Sequence, residues 1–469
     1  MKKTIHAILF IGMLFLCATG FAQKAGNYNA IYSGVPIVDT KGKVMSAHGA
    51  NVIKDGGLYY LFGEKHSDTS NVFVGFTCYS SKDLYTWKFE SIALPIQPSG
   101  KLGPKRVGER VKVMKCPKSG EYVMYMHVDT VSYNDQFVGY ATSRSITGPY
   151  KFQGPLLFKG QPVRKWDMGA FQDNDGSGYV LIHGGSIYKL SDDYKSIVEE
   201  VNGNMTAGFE SPAIFHKNNT YFLLGSNLTS WERNDNYYYT ATSLHGPWTK
   251  QGLFCPPGTL TWNSQTSFVL PIIGAKDTTF MYMGDRWSSP HQESAATYVW
   301  QPLTISGTSL SIPIFQDAWQ TTANGIAAPV KISGKIIENT DQKEIQYSGN
   351  WKHTNDSLSL SSSDAKDDRF AIKFTGQQAA LYGLSRPDGG YARVELKDAA
   401  GKVLHSCLID NYCKYAIASL KYITPLLPKG IYTLTVTVSG EHGNWSDKKK
   451  NIYGSTGNTV SLNKVIIKQ

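Results

Sequence analysis

Five stretches of this chain repeat one form, and that repeat limits the fold more than any other feature. Each opens with a polar residue at the head of an apolar strand. It then passes through a turn rich in Gly, Asn or Asp and returns as an aromatic-apolar strand. The stretches start at His48 (HGANVIKDGGLYYLFGE), Glu109 (ERVKVMKCPKSGEYVMYM), Asp167 (DMGAFQDNDGSGYVLI), Glu210 (ESPAIFHKNNTYFLLG) and Gln265 (QTSFVLPIIGAKDTTFMYM). The returning strand reaches its aromatic (Tyr59, Tyr122, Tyr179, Tyr221 or Phe280) 11 to 15 residues after the opener. Turns such as Lys54-Asp-Gly-Gly and Asp173-Asn-Asp-Gly suit hairpins, because Gly and Asn tolerate the positive φ of tight turns. The segments that follow also repeat: Tyr140 onward (YATSRSITGPYKFQG) matches Tyr239 onward (YTATSLHGPWTKQG), Cys78 onward is a third copy and Ile187 onward a degenerate fourth. Inner hairpins plus outer pairs, five times over, predict an all-β chain whose residues 30–320 form a five-bladed β-propeller. Aromatics at 12% and charged residues at only 18% agree with an all-β chain.

In a propeller the first strand of each blade lines the axis, so its opening residue faces one end of the channel. His48, Glu109, Asp167, Glu210 and Gln265 therefore converge at one mouth if they hold equivalent positions. Polar openers on five otherwise apolar strands are a poor choice for packing alone, which points to a site.

At these residues the sequence resembles the family-43 glycoside hydrolases, and it looks closest to their exo-β-1,3-galactanase branch. The resemblance rests on Ala47-His-Gly, Leu61-Phe-Gly-Glu64, Val107-Gly-Glu-Arg-Val-Lys112, Trp166-Asp-Met-Gly169 and Gly208-Phe-Glu-Ser-Pro212. It continues in Gly225-Ser-Asn-Leu-Thr-Ser-Trp231, Trp262-Asn-Ser-Gln265 and Met283-Gly-Asp-Arg-Trp287. Most of the family has an Asp general base at the first blade, where this chain has Ala47-His48-Gly49. The galactanase branch shares that departure and uses a Gln opposite the acid; by resemblance Gln265 takes that role. The implied activity is exo-acting, inverting release of galactose from β-1,3-galactan, such as arabinogalactan backbones. Another family-43 exo-glycosidase, acting on arabinose- or xylose-containing chains, is the alternative enzyme. A non-catalytic glycan-binding propeller is the alternative of a different class.

Cleaving a glycoside needs a proton for the leaving oxygen and a nucleophile on the opposite face of the ring. Glu210, beside Phe209 and Pro212 and near a second carboxylate, is the expected general acid, since desolvation and like charge both raise a carboxyl pKa. Asp167 is expected to tune it. Glu109 accepts a sugar hydroxyl, or else pairs with Arg110. Gln265 either positions water or works through its imidic-acid tautomer, because a carboxamide has almost no basicity. Trp231, Trp262 and Trp287 are candidate stacking walls for galactose, and Thr229 and Arg286 candidate hydroxyl-binding groups. His48 and Glu64 join them as substrate-binding residues.

After Trp319 the repeat ends. Residues 321–339 read as a linker, and residues 340–469 as a jelly-roll β-sandwich resembling galactose-binding-like modules. Its Asp388-Gly-Gly-Tyr391, Asp410, Trp445 and Asp447 could form a sugar or calcium site; no other cofactor is expected. Residues 1–22, with Lys2 and Lys3 before an apolar run that ends near Gly20-x-Ala22, read as a secretory signal peptide. No later stretch approaches the roughly 20 apolar residues of a membrane span. Beyond the signal, five cysteines leave one unpaired at least, Cys407 and Cys413 being either a pair or two thiols. No C-x-x-C is present, so no zinc site is expected. The net charge of +10 is scattered apart from Lys448-Lys449-Lys450, which argues against a nucleic-acid partner.

Overall fold

In the second strand of each repeat, alternate side chains go to opposite neighbours, as a period of two requires. Met124 and Met126 pack with Phe62, Phe76 and Cys78 of the preceding repeat, while Val123 and Tyr125 pack with Met168 and Val180 of the following one. Leu223 likewise joins Leu181 on one side, and Phe222 and Leu224 join Tyr282 and Val299 on the other. These strands are apolar on both faces because both faces are covered.

A computed structural model describes residues 27–469 apart from 204, 356, 357 and 448; the expected signal peptide lies outside the described residues. The chain is nearly all β. Four repeats form antiparallel sheets whose strands run in sequence order. The first sheet holds His48–Asp55, Leu58–Lys65, Gly75–Ser81 and Lys88–Pro95, and the second Arg106–Lys115, Tyr122–Thr130, Phe137–Ser143 and Lys151–Pro155. The third is built on Met168–Gln172, Gly178–Ile182, Ser186–Leu190 and Ile197–Asn202, and departs from the pattern at its outer edge, where the earlier strand Leu157–Phe158 is added in parallel and Gln161–Pro162 beyond it. The fourth holds Glu210–Lys217, Thr220–Ser226, Tyr237–Ala241 and Thr249–Leu253. The fifth stops at three strands, Gln265–Ile273, Thr278–Arg286 and Thr297–Pro302. Each first strand touches the next, and Gln265–Ile273 returns to His48–Asp55, which closes a ring. An apolar cluster fills every junction, including that between the fifth and first sheets, where Leu270, Met281 and Met283 meet Val52, Leu61 and Trp87. Beside the fifth sheet the N-terminal segment is hooked on, with Ser33 Oγ donating to Trp300 O at 2.6 Å and Gly34 N to Tyr298 O at 2.6 Å.

The C-terminal residues form two large antiparallel sheets and two smaller ones. One large sheet holds Ile345–Ser348, Arg369–Gly376, Gly430–Val438, Tyr391–Asp398 and Val403–Asp410; the other holds Lys335–Glu338, Lys464–Lys468, Gln378–Ser385 and Ile417–Ile423. Phe370, Ile372, Leu381, Val394, Leu434 and Val465 fill the space between them. Lys335–Glu338 lies inside the expected linker, yet it pairs with Lys464–Lys468 and so belongs to the sandwich. Cys407 and Cys413 are both buried free thiols, as are the other three cysteines described. No helix among the described residues is long and apolar enough to cross a membrane.

Candidate active site

A bulge recurs near the opener of four of the five first strands and aims the side chains of the site. His48 pairs with Glu64 and Asn51 with Phe62, so two residues on one strand are unmatched on the other. The same slip separates Glu109 from Lys112, Glu210 from Ala213, and Thr266 from Phe268. The residue after the opener takes a left-handed conformation at Gly49 (φ 58°), Arg110 (φ 56°) and Ser211 (φ 57°). Gly49 suits this doubly, since a Cβ there would run into the Glu64 carboxylate.

In the third sheet the left-handed residue is Asp167 itself, with φ 48°. His183 N donates to Asp167 O at 3.1 Å and to Trp166 O at 3.4 Å, so Asp167 faces the second strand as an opener does. Its left-handed conformation also sets it level with Arg110 and Ser211. From there it reaches sideways to both. Arg110 Nε lies 2.7 Å from Asp167 Oδ1, and Ser211 N donates to Asp167 Oδ2.

Opposite the openers stands a second polar set at the ends of the second strands: Glu64, His127, His183, Ser226 and Asp285, all buried. Sequence reading weighed only Glu64 among them. The signal was present, since each of these aromatic-apolar strands ends on one polar side chain near the mouth.

Arg110 is the hub of the site. Its Nη2 donates to Gln265 Oε1 at 2.6 Å and to Ser211 Oγ at 2.9 Å, and its backbone N donates to Glu64 Oε1 at 2.6 Å. The guanidinium lies 5.5 Å from the centre of the Trp287 ring. Gln265 Oε1 also accepts from Trp287 Nε1 at 2.8 Å, while its Nε2 donates to Ser226 Oγ at 2.9 Å. Both partners of Oε1 can only donate, which fixes the orientation of the carboxamide. The carboxamide can hold water through its remaining N–H.

Glu210 stands at the rim, partly exposed. Burial, and then the negative charge of Asp167, raise its pKa to about 8 against the pull of Arg110. It therefore holds its proton at neutral pH. Glu109 behaves in the opposite way: burial pushes it up, but His127 (3.1 Å) and the Tyr133 hydroxyl (2.6 Å) bring it below the ordinary carboxylate range. His127 lies between Glu109 and Asp129 (3.3 Å), and these partners raise its pKa to about 9 against burial. The ion pair considered for Arg110 and Glu109 is thus replaced by two separate pairs, Arg110 with Asp167 and His127 with Glu109. The two carboxyls are thus driven apart, Glu210 towards its neutral form and Glu109 towards its ionised one.

Of the other predicted residues, several are turned to structural contacts. His48 is fully buried, its Nδ1 3.2 Å from Asp285 and its ring stacked on Tyr298 at 4.6 Å; burial lowers its pKa, keeping it neutral. Glu64 accepts from Arg110 and lies 3.0 Å from His66. Thr229 Oγ1 donates to Glu232 O within its own loop. Arg286 donates to the carbonyls of Gly34, Trp262 and Asn263. Trp231 meets Trp287 edge-on at 5.2 Å, but Trp262 turns away to Phe315 and donates to Ile312 O. That turn comes from four consecutive left-handed residues, Leu260 to Asn263, with φ of 53° to 58°. Each such residue costs on the order of 1–2 kcal/mol, so the turn into Gln265 must be held from outside.

Among the described residues no three His, Cys, Asp or Glu side chains are placed to hold a metal ion. In the sandwich, Asp388 is engaged by Arg386 and Thr459, Asp410 by Ser288 and Tyr412, and Asp447 by Asn451 and Tyr453, so the three are not gathered at one point. Tyr391 turns its hydroxyl to the backbone of Ser289, 3.2 Å away, and Trp445 stacks beside Tyr453.

The sequence profile of the glycosyl hydrolases family 43 matches residues 44–254. An exo-β-1,3-galactanase from Phanerochaete chrysosporium, solved with galactose, is 28% identical with a TM-score of 0.69, covering 94% of this chain and 100% of that one. A variant of the same enzyme, solved with β-1,3-galactotriose, is 27% identical with a TM-score of 0.70 over the same shares, 94% and 100%. A putative exo-β-1,3-galactanase from Bifidobacterium bifidum is 38% identical with a TM-score of 0.56, covering 60% of this chain and 95% of that one. No curated protein matches the sequence.

Proposed function

The chain belongs to glycosyl hydrolase family 43, and from that premise we propose an exo-acting, inverting hydrolase that releases galactose from β-1,3-galactan, as found in arabinogalactans. The observation that carries the reading is the placing of Glu210 at the mouth of the ring, next to Ser211, whose N–H is bound by the Asp167 carboxylate; burial and that charge raise the pKa of Glu210. We take the ring to be a five-bladed propeller and the sandwich to be of jelly-roll type. Residues 1–22 would direct export to the periplasm or beyond.

Glu210 donates its proton to the glycosidic oxygen, and Asp167 keeps that proton in place by its charge. Ionised Glu109 accepts a hydroxyl of the reacting sugar. Gln265 holds the attacking water on the opposite face, and the proton that the water loses as it attacks passes from the mouth to bulk solvent, from which Glu210 is reprotonated. Inversion follows from which groups are free to attack. A carboxamide makes a poor glycosyl acceptor, Asp167 is paired with Arg110 and Ser211, Glu109 with His127 and Tyr133, and Glu64 lies under the backbone of Arg110. Water then attacks directly, with no ester intermediate. Support for galactose comes from the relatives solved with galactose and galactotriose.

A substrate panel tests the sugar. β-1,3-Galactobiose, an aryl arabinofuranoside and an aryl xyloside are each incubated with the full chain. Galactose release from the first alone is expected; turnover of arabinose or xylose substrates alone would overturn the assignment.

A further inference from the structure

The left-handed turn before Gln265 is gripped from the loop 232–236, and that loop is gripped in turn by the C-terminal sandwich. Arg233 is 2% exposed. Its Nε donates to Asn263 Oδ1 at 2.8 Å, two residues before Gln265, and its Nη1 donates to Trp287 O at 3.0 Å. Trp287 is itself a hydrogen-bond donor to Gln265. Asp235 accepts from Leu260 N at 2.8 Å, and Thr261 Oγ1 accepts from Asn236 N at 2.7 Å, which secures the rest of the turn. From the sandwich, the Tyr412 ring lies 5.3 Å from the Arg233 guanidinium, and its hydroxyl donates to Glu232 Oε2 at 2.6 Å. A second hold comes from Asp410, which accepts from Ser288 Oγ at 2.9 Å beside Trp287.

We infer that Arg233, covered by Tyr412, is a positioning residue for Gln265, so that the sandwich is a working part of the active site. This rests on the assignment of Gln265 to the attacking water. A guanidinium shielded by an aromatic face and bonded to both Asn263 and Trp287 sets the two approaches to Gln265 at once. Its planar fork makes both bonds from one rigid group, which an ammonium cannot copy. The sandwich supplies the cover through Tyr412.

The test uses the full chain with Arg233→Lys, Tyr412→Ala and Tyr412→Phe, each also in a Gln265→Ala background, on β-1,3-galactobiose. Arg233→Lys and Tyr412→Ala are expected to lower kcat about ten-fold or more with KM changed less than about two-fold. In the Gln265→Ala background the same substitutions should lower the residual rate no further, because they act through Gln265. Should Tyr412→Ala not fold, Tyr412→Phe, which loses only the hydroxyl to Glu232, is expected to show the same pattern more weakly. Unchanged kcat in folded Arg233→Lys and Tyr412 variants overturns the inference, as does a full loss in the Gln265→Ala background. A parent chain that releases no galactose overturns the functional reading, and the inference with it. A parent that releases galactose as fast without the Gln265 side chain overturns the role of Gln265.

Discussion

Replacing Glu210 with Gln is expected to slow galactose release from β-1,3-galactobiose by about a thousand-fold, within the range that general-acid catalysis supplies. The leaving group is a sugar hydroxyl, which departs poorly without a proton. Gln keeps the size and the hydrogen-bonding capacity but cannot deliver one. Substrate binding should change little, so the loss should appear in kcat. The parent enzyme should show the same group in its pH profile. With the Glu210 pKa at about 8, the protonated form prevails below that pH, and kcat/KM should fall as pH rises through it. A profile whose alkaline limb lies near pH 5 would contradict the raised pKa, and undiminished turnover by Glu210→Gln would remove Glu210 from the acid role.

The second large effect concerns Arg110, which no single-residue reading of the mouth would place at its centre. Arg110→Ala is expected to cost about 3–5 kcal/mol of stability, the scale for breaking one side of a buried ion pair. It leaves Asp167 buried with Ser211 N as its remaining partner and takes one of two donors from Gln265 Oε1. Thermal unfolding should move down by roughly 10 °C, at about 2–4 °C per kcal/mol for a domain of this scale. Arg110→Lys should keep the charge and much of the stability but lose the fork that reaches Asp167, Ser211 and Gln265 together. Its kcat should therefore fall although the protein remains folded. Scanning calorimetry alongside kcat separates the two variants. Equal stability for Arg110→Ala and the parent would show that the pair contributes nothing.

The hairpins and their apolar strands were legible in sequence because turn chemistry and the strand period leave marks within a dozen residues. The polar openers were legible for the same reason, being exceptions to an apolar pattern. At the third repeat Asp167 faces His183 and yet takes the left-handed φ of Arg110 and Ser211, which no pattern of residue type foretells. His127, Ser226 and Asp285 lay in plain view at the ends of second strands, but their roles depend on pairing across sheets. The direction of Trp262 could not be read, because four left-handed residues in a row follow no pattern of residue type. The same holds for Arg233 and Tyr412, which are 179 positions apart and meet only where two folded units touch.

The central claim is that Glu210 and a water held by Gln265 cleave the bond in one inverting step. Following β-1,3-galactobiose hydrolysis by proton NMR, before mutarotation, tests it most directly. α-Galactose should appear first, with the β-anomer growing in only as the sugar equilibrates. β-Galactose as the first product would contradict the account, because it requires a covalent intermediate on a carboxylate in place of direct attack by the water at Gln265.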